Sequence, residues 1–387
     1  MTVHESFGCI YKDKPYICGI IFEDMRKPIS GFLFIFSAIF ILSLSSCETD
    51  VELLAPYNET PVIYGILDYT ADTQFVRINK TYLGPGEPSQ YSSIKDSVEY
   101  ALEDVLAVIN KYDNNGNLLN TYTLETTEIP SRDPGIFYDE DVLYYYTDAQ
   151  ILTEDQQSNQ EDFLFELVAT IKGEEYRAET RFPGLSPSTI QTPTEINGNP
   201  QKLRFTITNG TFTSQRLEFT TDAFTASYST SFRINFDYVK TDGTLVENQF
   251  IDYSTGDFSN VELTPGQQIT ISLNGENYYS FLGNQLDLIP ELSEVQIENF
   301  EFRVLGTTPE LSRYLDVAQP VSQFTPVLNS YTNLTNGGIG IFSSLGLESK
   351  AAWLEDRSIQ KLAESPLTNS YSYCVQGWIG SAELCSE

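Results

Sequence analysis

Residues Glu174–Phe182, "EEYRAETRF", alternate without a break. Tyr176, Ala178, Thr180 and Phe182 fall on one side, with Glu175, Arg177, Glu179 and Arg181 on the other. A period of two belongs to a half-buried β-strand, because successive side chains of extended backbone point to opposite faces. "FVRINKTY" repeats it, with Val76 and Ile78 on one face and Arg77 and Asn79 on the other. Antiparallel sheets with one wet face produce such alternation, so a mainly β chain is expected. Asn115-Gly116 and Asp242-Gly243 each separate two strand-like runs, and such pairs supply the positive φ of tight hairpins. Plentiful Thr, Tyr and Phe suit sheets better than helices.

The alternation stops at "RFPGLSPSTIQTPTEINGNPQ", which carries Pro183, Pro187, Pro193 and Pro200. Proline clustered after a series of strands marks a domain boundary. The expected architecture is therefore two consecutive immunoglobulin-like antiparallel β-sandwich domains, residues 58–185 and 201–387, joined by a linker at 186–200. "KLRFTIT", "STSFRINFDYV", "QQITISL" and "VQIENFEFRVL" restart the strands. Two short helices interrupt them. "NGENYYSFLGNQLDLI" sets Tyr278, Phe281, Leu282, Gln285 and Leu286 at helical spacing. "TPELSRYLDVAQP" offers Thr308 as cap, Pro309 in the first turn and Pro320 beyond the end. Both apolar stripes are expected to face the core.

Residues 31–47 read "GFLFIFSAIFILSLSSC". The apolar run Gly31–Leu44 is shorter than the ~20 residues a membrane span needs. It suits the apolar region of a signal peptide behind the positive charges of Arg26 and Lys27. Met25 stands just before them, so translation is expected to start there, with residues 1–24 an upstream extension. Leu44-Ser45-Ser46-Cys47 looks like a bacterial lipobox, in which the cysteine thiol is acylated and becomes the first mature residue. Residues 25–46 are then the signal peptide, and 47–57, "CETDVELLAPY", an acidic tether. Several acyl chains of palmitate type on Cys47 would anchor the protein stably, at roughly 0.8 kcal/mol per buried CH₂.

Removing residues 1–46 leaves the net charge of −32 unchanged, because its Lys and Arg residues balance its Asp and Glu residues. No Lys/Arg cluster offsets this acidity, which excludes nucleic acid as a partner. The only histidine is His4, inside the removed segment. A mature chain without histidine has no Ser-His-Asp triad, no Cys-His pair and no His-ligated zinc. Cys9 and Cys18 also leave, and Cys47 is lipidated. Cys374 and Cys385 remain, and in an exported protein they are expected to form a disulfide. Two thiolates alone make a poor metal site, so no metal and no cofactor are expected.

Other candidate sites resolve toward structure. "YDNNGN" spaces Asp113, Asn115 and Asn117 like calcium ligands, but Leu124 occupies the position where a bidentate Glu is required. Asp139, Glu140 and Asp141 in "FYDEDVLYYY" could serve a carboxylate-based hydrolase or hold calcium, yet read more simply as a solvated loop. A glycosidase would oppose two carboxylates across roughly 5–9.5 Å, and no such pair is legible. No catalytic residue is assigned. Trp353 and Trp378 are too few to argue for a sugar platform. The long, weakly periodic stretch Pro320–Phe342 carries apolar Phe324, Val327 and Phe342 as partner-binding candidates. Gly337, Gly338 and Gly340 in it would permit close backbone approach. The alternative is that this stretch packs on its own domain.

The lipobox, "PVIYGILDYTADTQFVRINKTY", "FELVATIKGEEYRAETRFPG", "FEFRVLGTTPELSRYL" and "YTNLTNGGIGIF" together resemble a family of Bacteroidota surface lipoproteins catalogued as a domain of unknown function. In the last motif the resemblance rests on Asn333, Asn336, Gly337, Gly338, Gly340 and Phe342. Members are commonly encoded beside TonB-dependent outer-membrane receptors. The resemblance implies a non-enzymatic accessory or binding subunit for such a receptor in nutrient capture, anchored in the outer membrane and facing the exterior. A structural or adhesive surface protein is the alternative.

Overall fold

Extended backbone dominates the computed structural model, which describes residues 59–82, 87–130, 138, 141–157, 159–259, 264–318, 331–376 and 385. The alternating runs do form strands: β1 (Pro61–Asp68), β2 (Gln74–Lys80), β3 (Val105–Tyr112) and β4 (Leu118–Thr123). They continue as β5 (Glu125–Ile129), β6 (Val142–Thr147), β7 (Leu164–Ile171) and β8 (Glu174–Arg181). Val76 and Ile78 are fully buried, as are, almost entirely, Tyr176, Ala178, Thr180 and Phe182. The Asn115-Gly116 turn joins β3 to β4, with Gly116 at φ +79°. Asp113 accepts from the Asn115 and Asn117 amides there, which lowers its pKa, so its carboxylate serves the turn.

Beyond residue 185 come three short strands, β9 (Ile190–Thr192), β10 (Glu195–Ile196) and β11 (Asn199–Leu203). The proline-rich stretch expected as a linker is thus itself part of the sheets. β9 pairs with β12 (Ser214–Thr220), and β11 lies beside the long β17 (Ile339–Leu354). Short strands at sheet margins tolerate proline, because few of their N–H groups are needed for a ladder. The remaining strands are β13 (Ser227–Lys240), β14 (Leu245–Ser259), β15 (Gln268–Asn274), β16 (Leu292–Thr307) and β18 (Ser372–Val375). The Asp242-Gly243 hairpin joins β13 to β14, with Gly243 at φ +86°.

Helix α1 (Gly275–Leu286) is capped by the Asn274 side chain, which accepts from the Asn277 amide at 2.9 Å. It buries Tyr278, Tyr279, Leu282 and Leu286. Helix α2 (Pro309–Ala318) begins after Thr308, whose hydroxyl accepts from the Leu311 amide. A third helix, α3 (Asp356–Glu364), escaped the sequence pattern because only Ile359 and Leu362 mark its buried stripe. Among the described residues no helix is long and apolar enough to cross a membrane.

Three sheets result. The largest runs β14-β13-β16-β17-β1-β2-β6-β5, with β11 and β18 attached to β17 and β16; the others are β15-β12-β9 and β4-β3-β7-β8. One core lies between β4-β3-β7-β8 and the β1-β2-β6 part of the large sheet, around Ile63, Val76, Phe165 and Phe342. A second gathers Phe205, Phe232, Phe300 and Tyr278 with β13, β16 and helices α1 and α3. β17 belongs to both. Its first half pairs in parallel with β1, Val62 opposite Ile339 through Asp68 opposite Leu345; its second half pairs antiparallel with β16. Residues Pro56–Glu387 accordingly cluster as one unit, and the observed architecture is mainly β with three antiparallel or mixed sheets. Cys374, buried at the margin of the second core, is bonded to Cys385.

Asp222 sits where residues 184–189 cross between the cores. It accepts from the Thr189 hydroxyl at 2.7 Å, and Gly184 donates to the neighbouring Ala223 carbonyl at 2.9 Å. Burial pushes its carboxyl up to about 6; the Thr189 bond opposes this, and the charge of Glu161 adds to it. A raised carboxyl favours the neutral form in the fold. Its contribution to stability is complete below the ordinary value of 3.8 and is lost as pH rises through about 6. Because the group is partly exposed, the loss is expected to be only about 1 kcal/mol. Asp222→Asn keeps an acceptor for Thr189 and removes the titration. Urea midpoints at pH 4.5 and 7.5 should show a smaller pH step in the variant than in the parent chain.

Candidate functional site

The sequence-expected sites separate. Cys47, Phe324, Val327, Asp139, Glu140 and Trp378 lie outside the described residues. Asp141 is exposed, and its carbonyl oxygen accepts from Lys95 Nζ at 2.8 Å. Trp353 packs against the second core. Among the described residues no three His, Cys, Asp or Glu side chains group as a metal site requires.

Phe342 is corrected. Expected at a partner surface, it is fully buried in the first core, its ring lying over Gly65. The surrounding motif is a structural lock. Asn333 donates to the Phe342 carbonyl at 2.7 Å and accepts from the Phe342 amide at 3.0 Å. Asn336 donates to the Glu175 carbonyl, and Thr335 exchanges two bonds with the Arg177 backbone, closing the free edge of β8. Gly340 lies directly against the Ile63 backbone. The glycines do allow close approach, but to the protein's own β1.

The face of the large sheet opposite the first core carries one group of exposed apolar side chains. Strand alternation turns Tyr64 and Ile66 of β1 outward, 40% and 42% exposed, while Ile63 and Leu67 are buried. Beside them on β2 stand Phe75, 40% exposed, and Arg77, paired across the strands with Tyr64. On β6, Tyr144 and Tyr146 meet Phe75 with ring centroids at 6.1 and 6.2 Å. Helix α2 lays Tyr314 edge-on to Tyr64 at 6.2 Å and leaves Leu315 48% exposed. Burial, then the Tyr314 hydroxyl, pushes the Tyr64 phenol up to about 12, so it stays neutral.

Two cavities border the end of β2. The larger, about 720 Å³, is lined by Lys80, Lys95, Asp96, Glu99, Asp104 and Glu128 among others. Its charges are mutually paired in part, with Lys95 at 2.7 Å from Glu128 and 3.8 Å from Glu99. The smaller, about 350 Å³, shares Lys80 and has Tyr64, Tyr82, Tyr138 and Val98 as walls with Arg77 among its lining. Arg77 is held in place: Nε donates to Asn79 at 3.2 Å, Nη2 donates to the Tyr138 hydroxyl at 3.2 Å, and the guanidinium lies 5.7 Å from the Tyr144 ring centroid. Tyr138 in turn donates to Glu99 at 2.5 Å, and the Leu143 amide donates to the same carboxylate oxygen at 3.0 Å.

Sequence reasoning placed Arg77 and Asn79 on an outward face but gave no reason to join them to Tyr64, Tyr138 or Glu99. These come from separate elements: the β1–β2 ladder sets Tyr64 beside Arg77, an isolated bridge sets Glu99 beside Asn79, and Tyr138 reaches Arg77 and Glu99 through its hydroxyl. Elsewhere, Lys111 is a buried cation that the alternation did not flag. Its amine donates to the Ile151 carbonyl at 2.8 Å and lies 4.4 Å from the Phe163 ring centroid, and burial lowers its pKa to about 8.

Neither a protein-family model nor a curated protein matches the sequence. A solved structure titled "BspA_C_mut" aligns over 65% of this chain and 95% of its own, at 9% identity and a TM-score of 0.12. So low a score carries no argument.

Proposed function

We propose that the chain is a lipid-anchored protein of the outer-membrane surface that serves a TonB-dependent receptor as a non-enzymatic binding subunit in nutrient capture. The observation that carries this reading is the outer sheet face, where Tyr64, Ile66, Phe75 and Leu315 stand exposed on adjoining elements. Contiguous apolar surface on a strongly acidic protein is costly to leave in water and marks a contact face. Aromatic side chains are enriched in such interfaces because they bury large area with few torsions to freeze. The lipobox at Cys47 supports the membrane address, and the family resemblance supports the class of partner. In this reading the two cores are immunoglobulin-like sandwiches fused through one sheet, which the two-layer packing around each core supports.

The test is crosslinking in native outer membranes followed by purification of this chain. A TonB-dependent receptor should co-purify, and Tyr64→Ser with Phe75→Ser should reduce its yield about tenfold or more, the loss of two interface anchors. Both side chains are partly exposed, so the variant should still fold. Absence of any receptor would remove the partner. A receptor retained by the folded variant would remove this face alone.

A further inference from the structure

We infer that the cleft at Arg77 is a binding site for a small organic carboxylate built on a single ring. This rests on reading the chain as a binding subunit and names the ligand that such a subunit would hold. Acids outnumber bases 54 to 22 in this protein, so an exposed cation finds a carboxylate readily. Arg77 and Lys80 do not: neither lies within ion-pair distance of an acidic side chain among the described residues. Arg77 lines a cavity of about 350 Å³ that Lys80 only borders, the Lys80 ammonium lying 5.5 Å from the ring centroid of Tyr100, which lines the larger cavity. That volume suits a single small molecule.

The guanidinium is already oriented. Asn79 takes the Nε proton and Tyr138 takes one from Nη2, which among the described residues leaves Nη1 and the second Nη2 proton unspent. That remaining pair is the fork that chelates a carboxylate by two parallel N–H···O bonds. Glu99, the nearest acid in the network, accepts from Tyr138 and the Leu143 amide and does not occupy the fork. The walls decide the body of the ligand. Tyr64, Tyr82 and Tyr138 offer ring faces and edges against which a ring packs, and Val62 and Val98 add apolar wall. A ring-bearing carboxylate satisfies the Arg77 fork and the aromatic walls together. A neutral ring leaves Arg77 uncompensated, and a bare inorganic anion leaves the walls empty.

The source could be an aromatic acid or an acidic sugar, and the probes separate them. Purified full chain is titrated by calorimetry with 4-hydroxybenzoate and with galacturonate, and with their neutral counterparts 4-hydroxybenzamide and galactose. At least one acid should bind with a Kd of about 1 mM or tighter, and about tenfold or more tighter than its neutral counterpart. Arg77→Gln should weaken that acid by about 10- to 100-fold, and Arg77→Lys, which lacks the fork, by less. Lys80→Gln, a change at a half-buried surface side chain, supplies the second reading if Arg77→Gln unfolds, with a loss of about threefold or more. Binding of galacturonate alone identifies the sugar source, and of 4-hydroxybenzoate alone the aromatic one. The site is overturned if neither acid binds at roughly 10 mM, if acid and neutral counterpart bind alike, or if the folded cation variants bind as the parent does. Receptor co-purification does not depend on this titration, so either proposal can fail alone.

Discussion

Alanine at position 340 should leave little folded protein. Gly340 holds φ at +115° directly opposite Ile63 in the parallel β1–β17 ladder. A Cβ there would stand 2.0 Å from the Ile63 carbonyl oxygen and 2.9 Å from its carbonyl carbon. The obstruction is backbone, so no rotamer change relieves it; β17 would have to part from β1. β17 is the strand both cores share, so the disturbance reaches Ile63 and Phe342 in one core and the β16 ladder beyond it. The strained φ alone costs about 1–3 kcal/mol, and the collision raises the expected loss to about 4 kcal/mol or more. Much of a domain's usual margin of roughly 5–15 kcal/mol would go. Gly337→Ala is the matched control. Gly337 also has positive φ, +76°, but its added Cβ would meet nothing within 4 Å, so about 1 kcal/mol is expected. Urea midpoints measured on both variants check the difference. Equal midpoints would show that the Ile63–Gly340 register is not the one described.

Gly340 also marks the limit of what the chain's pattern discloses. Alternation between buried and exposed side chains is local, so "FVRINKTY" and "EEYRAETRF" were legible as strands with the correct inward faces. Asn115-Gly116 and Asp242-Gly243 were legible as hairpins for the same reason, since two residues settle the turn. The partner of β1 was not, because parallel pairing of Val62 with Ile339 leaves no mark in either segment. That pairing is what fuses the two expected sandwiches into one sheet. The prolines at 187, 193 and 200 gave a true warning that no long central strand runs there, yet short marginal strands satisfy it as well as a linker does. The site was split in the same way. Arg77 could be placed outward from its own strand, whereas Tyr64 and Tyr138 meet it only in the fold. Phe342 misled because glycine-rich apolar sequence signals close packing without saying on whose backbone.

Cys47→Ala should abolish display at the cell surface without altering the folded unit. The lipobox resemblance makes the Cys47 thiol the attachment point, and alanine offers no nucleophile for acylation. Cleavage before residue 47 follows acylation in such signals, so the variant should keep residues 25–46 and remain with the membrane that received them. The mature chain's net charge of −32 is repelled by anionic lipid, and no described helix can span a bilayer. Several acyl chains at about 0.8 kcal/mol per CH₂ would otherwise hold it stably. Ser46→Ala, which keeps the thiol, is the control and should be displayed as the parent is. Mass spectrometry of the amino-terminal peptide should find a lipidated Cys47 in the parent and an uncleaved, unmodified segment in Cys47→Ala. Protease added to intact cells should digest the parent and spare the variant. An unlipidated parent peptide, a mature chain still carrying residues 1–24, or surface display of Cys47→Ala at the parental level would each defeat the assignment. The melting temperature of the purified variant should match the parent, since the buried residues of both cores begin at Ile63.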